Sequence, residues 1–179
     1  MSLNMRTKTA FITHCALFAA LTAVFSQISF PAGPFPFSMG LFAVMICGGM
    51  LKPLPAFVTQ AVYLIIGAVG LPVFSGFRGG IQCLLGPTGG FLIAYPFAAM
   101  IVSLCFSAGK KRLPLSMLGY ASALALCYVS GAAWYSLVSE VNFLSAVTVT
   151  VLPFLIPDAL KAVCAHIISS LVTARLRIR

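Results

Sequence analysis

Long apolar runs fill most of the chain, and short stretches with proline, glycine or basic residues separate them. A helix needs about 20 apolar residues to cross a bilayer, within a range of roughly 17–25. The pattern predicts an all-α integral membrane protein, a single six-helix membrane domain over residues 1–179. The expected spans are residues 8–30, 37–51, 54–69, 90–108, 115–138 and 157–176.

Prolines and glycines stand where these helices should begin and end. Pro53, Pro114 and Pro157 lie at or just before a first helical turn, where proline is tolerated. Gly70 and Gly109 follow the last apolar residues of two spans, where glycine commonly ends a helix. The local signals therefore agree with the hydropathy.

Composition supports the same class of protein. The chain is 61% hydrophobic and 7% charged, whereas a soluble domain carries about 25% charged residues. Its net charge of +9 is unevenly placed, because nine basic residues fall on one side of the predicted membrane. They are Arg6, Lys8, Lys52, Lys110, Lys111, Arg112, Arg175, Arg177 and Arg179. The positive-inside rule then places both termini in the cytoplasm, and the charge indicates topology rather than nucleic-acid binding.

Three connections lie on the outer side. Residues 30–37 are rich in proline and phenylalanine, residues 71–89 are rich in glycine, and residues 141–156 link the last two spans. We expect no continuous helix in them. For residues 30–37 two interpretations stay open, an interfacial aromatic anchor and a lid over a site. For residues 71–89 we favour a lid.

Asp158 and Lys161 stand at the head of the last span, in a chain with only two acidic residues. A charged side chain at bilayer depth costs roughly 2.5–3.5 kcal/mol on insertion scales, so such residues usually serve a function. A spacing of three places both groups on one helix face. The alternative is a helix cap beside a lysine that extends toward the membrane surface. We favour a ligand site.

Arg78 is the basic residue of the outer connections, and glycines flank it. An arginine here can clamp a carboxylate through two hydrogen bonds, or it can simply be solvated. The charges of Arg78, Lys161 and Asp158 sum to +1, which a monoanion would neutralise. Apolar surroundings and the carboxylate of Asp158 further predict a ligand with an apolar body and N–H or O–H groups.

Other candidates are weaker. Gln60, Tyr63 and Gly67 share one face of the third span, where Gln60 either contacts the ligand or bonds to another helix. The aromatic candidates for the pocket, which are more often core or interfacial residues, are Phe74, Tyr95, Trp134 and Tyr135.

The first span carries Ala16, Ala19, Ala20 and Ala23, two overlapping pairs of small residues four apart. Such a strip permits close helix contact, either within the bundle or with a partner membrane subunit.

The sequence lacks the phosphate-binding loop motif of ATPases, the zinc-protease motif and the hydrolase nucleophile motif. Its six cysteines form no C-x-x-C pair. We expect no catalytic residue, no metal, no cofactor and no structural disulfide.

Several stretches resemble one known family. Residues 86–96, GPTGGFLIAYP, are similar to a signature stretch of BioY proteins, the biotin-specific S components of energy-coupling-factor (ECF) vitamin transporters. Residues 27–36, 67–74 and 157–161 match as well, so the resemblance covers essentially the whole chain.

The resemblance implies a six-helix S-component fold in a bacterial or archaeal plasma membrane. It also implies capture of biotin from outside, with a transmembrane coupling subunit and two cytoplasmic ATPases as partners that alone use ATP. Ala16 and Ala20, with Ala19 and Ala23, would face the coupling subunit. Asp158 would accept a hydrogen bond from the ureido N–H of biotin, and Lys161 or Arg78 would pair with its carboxylate.

Three alternatives differ in what they predict. An S component for another vitamin would bind that vitamin instead of biotin. A membrane-embedded enzyme using Asp158 and Lys161 as acid and base would convert its ligand. A structural subunit would bind no small molecule.

Overall fold

The computed structural model describes residues 5–32, 35–108 and 113–176. These ranges contain eight α-helices, one short 3-10 helix and one two-stranded hairpin. The helices are α1 (Met5–Gln27), α2 (Gly40–Met50), α3 (Pro53–Ala68), α4 (Ile81–Leu85), α5 (Gly89–Ala108), α6 (Leu113–Ser139), α7 (Phe143–Thr150) and α8 (Leu155–Leu176). The hairpin strands are β1 (Ser29–Ala32) and β2 (Phe35–Ser38), and the 3-10 helix is Leu152–Phe154.

Six of these helices coincide with the six predicted segments, and no boundary differs by more than three residues. Within the described ranges, four helical segments are long and apolar enough to cross a membrane. They are Thr9–Gln27, Gly89–Ala108, Pro114–Ser139 and Phe143–Arg175, the last of which joins α7 to α8. The chain is thus a multi-pass membrane protein.

The helices α2 and α3 are shorter than a typical membrane span, and α2 is also shorter than the predicted segment 37–51. With 11 and 16 residues, they reach about 17 and 24 Å, less than the roughly 30 Å of a hydrocarbon core. Length therefore supports membrane crossing for four segments of the described residues, and the count of six spans stays a prediction.

The α2 helix lies in the centre of the bundle, against α1, α5 and α8. Most of its residues are buried, which explains an apolar surface on all sides without contact to lipid. A Cβ atom on Gly48 would overlap Val102 and the Ala99 carbonyl of α5, and one on Gly49 would overlap Ser169 of α8. Two consecutive glycines thus let both helices approach the central one closely.

The outer connections are more regular than expected. The strands β1 and β2 pair antiparallel, with Phe30 opposite Phe37 and Pro31 opposite Pro36. Proline excludes a helix here but is compatible with a two-stranded ribbon, whose outward-facing positions need no N–H donor.

Residues 141–156, for which we expected no continuous helix, are mostly helical but divided between α7, the 3-10 helix and the start of α8. Asn142 caps α7, because its side chain accepts a hydrogen bond from the Leu144 amide at 3.3 Å. The helical path is interrupted only around the 3-10 turn that contains Pro153, and Pro157 then lies in the first turn of α8. In residues 71–89, α4 likewise adds one short helix to a connection that is otherwise a series of turns.

Candidate ligand-binding site

A cavity of about 390 Å³ opens at the end of the bundle where the hairpin, the 71–89 connection and the first turn of α8 meet. Its walls come from β2, α4, α5, α6 and α8, with single residues of α2 and α7 and the 3-10 helix beside them. Ligand pockets for small molecules typically enclose about 300–1,000 Å³. Both predicted charged groups of α8 and Arg78 line this cavity.

Asp158 and Lys161 form a buried ion pair on the cavity wall. The Lys161 Nζ atom lies 2.8 Å from Asp158 Oδ1, and the two side chains are only 7% and 6% exposed. Nζ also donates to the Ser38 carbonyl at 2.8 Å and lies 3.7 Å from the centre of the Phe37 ring. These additional contacts matter because a buried ion pair is retained without strain only when its remaining donors and acceptors are also satisfied.

Tyr128 of α6 is a member of this polar group that the sequence analysis missed. Its hydroxyl donates to Asp158 Oδ2 at 3.0 Å and lies 3.3 Å from the Phe154 carbonyl. A hydroxyl has a single hydrogen, so it can fully serve only one of these acceptors. The Asp158 carboxylate is both the nearer and the stronger acceptor. Both oxygens of Asp158 are therefore engaged, one by an ammonium and one by a phenol.

Arg78 lies at the end of a tight turn over residues 74–78. The Phe74 amide donates to the Arg78 carbonyl at 2.9 Å, and the Arg78 amide donates back at 3.3 Å. Phe74 is buried against the Tyr63 ring, and a Cβ atom on Gly67 would overlap the Phe74 ring. The turn thus has a buried stem, while the Arg78 side chain is exposed at the cavity.

The structure brings Phe74 and Tyr95 to the cavity but not Gln60 or Tyr63. Gln60 is buried and donates to Thr22 of α1 at 3.2 Å, which is the interhelical bond that the sequence left as its alternative role. The Tyr63 hydroxyl donates to the Val73 carbonyl at 3.2 Å, and its ring stacks on the Tyr95 ring with 6.5 Å between the ring centroids. Tyr63 therefore packs behind the lining residues Phe74 and Tyr95, whereas Gln60 joins α3 to α1.

Trp134 and Tyr135 do not line the cavity either. The indole of Trp134 donates to the Gly86 carbonyl at 2.9 Å and so fixes the segment that leads into α5.

Two hydroxyl groups on the cavity wall have no hydrogen-bond partner among the described residues. They belong to Thr150, which is 1% exposed, and to Ser75. A buried polar atom without a partner is costly, so each hydroxyl would gain from a hydrogen bond to a ligand group that reaches it. Nothing in the sequence distinguishes them from other serines and threonines of apolar segments.

The four alanines of α1 divide between two faces. Ala16 and Ala20 are exposed, whereas Ala19 is buried and Ala23 packs against the core. Ala16 and Ala20 are therefore the most accessible of the four to another membrane subunit.

Comparison with known proteins identifies the family. The sequence model of the BioY family matches residues 1–178. A probable biotin transporter BioY of Pyrococcus horikoshii is 43% identical over 158 residues, which cover 88% of this chain and 93% of that one. A biotin transporter BioY of Thermotoga maritima is 33% identical over 163 residues, covering 88% and 92%.

The fold agrees with this assignment. The crystal structure of the S-component for biotin from an ECF-type ABC transporter superposes with a TM-score of 0.79 at 25% identity. The match covers 99% of this chain and 96% of that one. On the family match and these relatives together, the chain belongs to the BioY family.

Proposed function

We propose that the chain is the biotin-binding S component of an ECF-type uptake transporter. The observation that carries this function is the buried Asp158–Lys161 pair on the wall of a ligand-sized cavity, in a chain of the BioY family. Its relatives are named as transporters, and the chain is a transporter subunit rather than an enzyme.

The polar end of the cavity matches the ureido group of biotin, which offers two N–H donors and one carbonyl acceptor. Asp158 has carboxylate lone pairs left beyond its bonds to Lys161 and Tyr128, so it can accept from a ureido N–H. Lys161 donates two of its three ammonium hydrogens to Asp158 and Ser38. The third can bond the ureido carbonyl.

The carboxylate of biotin is assigned to Arg78. Lys161 is already neutralised by Asp158, so the pair has no net charge with which to attract an anion. Arg78 lines the cavity, and within the described ranges no carboxylate forms an ion pair with it. A guanidinium can hold a carboxylate through two parallel hydrogen bonds. The cavity would then carry a charge of +1 against a monoanionic ligand.

The six-span arrangement with both termini in the cytoplasm of a bacterial or archaeal cell forms part of this proposal. Ser103 of α5 donates to the Leu51 carbonyl at 2.5 Å, which places the exposed Lys52 beside the C-terminal end of α5. Arg175 lies near the C-terminal end of α8, opposite the cavity. The cluster Lys110–Arg112 falls outside the described residues. This distribution supports a cytoplasmic face remote from the biotin site.

The proposed partners are a transmembrane coupling subunit and two cytoplasmic ATPases. The exposed Ala16 and Ala20 supply a smooth surface on α1 for the coupling subunit. Residues 30–37 and 71–89 would close over bound biotin before the loaded protein engages these partners.

Equilibrium binding of labelled biotin to the purified chain in detergent tests the function, with thiamine and riboflavin as competitors. We expect saturable binding that only biotin displaces. Asp158→Asn should weaken it, whereas Val129→Ala, at an exposed neighbour of Tyr128, should not. Absence of saturable binding, or displacement by thiamine or riboflavin, would refute biotin as the ligand.

A further inference from the structure

Gln27, the last residue of α1, connects that helix to the 71–89 connection by hydrogen bonds from both ends of its amide. Its Nε2 donates to the Pro72 carbonyl at 3.3 Å and to the Ala23 carbonyl of its own helix at 3.2 Å. Its Oε1 accepts from the Phe77 amide at 2.8 Å. The side chain is therefore fixed on α1 at one end and bonded to two places in the connection.

The stem of the 74–78 turn does not need this contact. Phe74 is 2% exposed, Tyr63 donates to the Val73 carbonyl, and the Gly80 amide donates to the Gly67 carbonyl at 2.7 Å. These buried contacts attach both ends of the turn to α3.

The tip of the turn is held differently. Gly76, Phe77 and Arg78 are all exposed, and Phe77 has a φ of 56°. A bulky residue rarely adopts this left-handed conformation, because its Cβ atom then crowds the following carbonyl. Such a conformation persists when surrounding contacts impose it. The hydrogen bond from the Phe77 amide to Gln27 supplies such a contact from another element of the fold.

We propose that Gln27 is a positioning residue for the turn over residues 74–78, which borders the cavity. Its hydrogen bond to the Phe77 amide keeps the adjacent Arg78 at the solvent-exposed edge of the cavity. Arg78 in this position slows the release of the ligand. That the ligand is biotin rests on the function proposed above. The geometry of the turn does not depend on that function and can be measured without ligand.

Gln27→Met tests the proposal, because methionine keeps the length of the side chain and removes all three hydrogen bonds. A hydrogen bond is typically worth a factor of roughly three to ten in an equilibrium. We expect biotin to dissociate about three- to tenfold faster, and the Phe77 amide of the ligand-free protein to exchange with solvent faster by a similar factor. Thr13→Val, which removes an exposed hydroxyl-to-backbone bond on the same helix, should change neither rate.

A double-mutant cycle with Arg78→Gln separates positioning from general weakening of the fold. If Gln27 acts through Arg78, the effect of Gln27→Met on dissociation should be largely lost in the Arg78→Gln background. Equal effects in both backgrounds would overturn the proposal, as would unchanged dissociation and exchange in Gln27→Met.

Two further outcomes are distinguishable. If the wild-type chain binds no biotin, the proposed function fails, while the exchange rate of Phe77 still tests the role of Gln27. If Gln27→Met does not fold, the rate at which the Phe77 amide of the wild-type protein exchanges with solvent tests the proposal. A protected Phe77 amide supports the proposal, and one that exchanges as in an unstructured peptide overturns it.

Discussion

Replacing Asp158 by asparagine keeps the size of the side chain but removes the negative charge that faces the Lys161 ammonium at 2.8 Å. The ammonium would retain the Ser38 carbonyl and the Phe37 ring as partners, in a position where its side chain is 6% exposed. Removing one partner of a buried ion pair typically costs about 3–5 kcal/mol, because the other charge stays buried. We expect Asp158→Asn to lower the free energy of unfolding by an amount near the lower end of this range.

The same substitution should also weaken biotin binding for a separate reason. A hydrogen bond to a charged group contributes about 1.5–3 kcal/mol, which corresponds to roughly 10- to 150-fold in the dissociation constant. The asparagine amide can still accept a hydrogen bond from the ureido group, but without the charge. The loss of affinity should therefore fall within this range rather than exceed it.

The double variant Asp158→Asn/Lys161→Met distinguishes the two effects. Replacing a whole buried pair by uncharged residues of similar volume is often neutral for stability. Thermal unfolding in detergent should show that the double variant recovers most of the stability lost in Asp158→Asn. Titration with labelled biotin should show no recovery of affinity. Recovery of both would mean that the pair serves stability alone, and wild-type affinity in Asp158→Asn would refute the assignment of Asp158 to the ureido group.

Three further predictions concern the wall and the lipid-facing surface. Thr150→Val should leave the unfolding midpoint of the ligand-free protein unchanged or raised, because its hydroxyl has no partner within the described ranges, and should weaken biotin binding several-fold in the same titration. Gly67→Ala should lower the free energy of unfolding by about 1–3 kcal/mol, because the new methyl group overlaps the Phe74 ring. Thermal unfolding should show this as a lower midpoint. Ala16→Leu should reduce co-purification with the coupling subunit without changing biotin affinity, whereas Ala19→Leu, at a buried position, should lower thermal stability.

Local features of this fold followed from the sequence. Pro53 begins α3, and Gly70, just past its end, takes the positive φ that ends helices. The contact of Asp158 with Lys161 was predictable as well, because helix geometry alone brings residues three apart onto one face.

Contacts between distant parts of the chain were not predictable in this way. Lys161 bonds to Ser38 across 123 positions, and Tyr128 bonds to Asp158 across 30. Tyr128 stands in an apolar segment, where a tyrosine is as consistent with the core or the membrane surface as with a ligand site. Only the packing of α6 beside α8 identifies its partner. Gln60 illustrates the converse case, since Thr22 on a neighbouring helix decides its role.

Hydropathy also could not separate burial in protein from burial in lipid. Both environments favour an apolar surface, so residues 37–51 were predicted as a short membrane span, although α2 has 11 residues and protein on most sides. The distinguishing signal was the pair Gly48 and Gly49, because consecutive small residues allow two neighbouring helices to approach.

The electrostatic layout of the cavity favours one orientation of the ligand. The Asp158–Lys161 pair is neutral as a unit, and its charged atoms are held by Ser38 and Tyr128 before any ligand arrives. Because the polar atoms are already oriented, binding need not organise them, which lowers its free-energy cost. A carboxylate placed there would meet the negative charge of Asp158, whereas an uncharged ureido group meets a donor and an acceptor. The exposed Arg78 instead favours a negatively charged group of the ligand. An anion with an uncharged head should therefore bind with that head innermost.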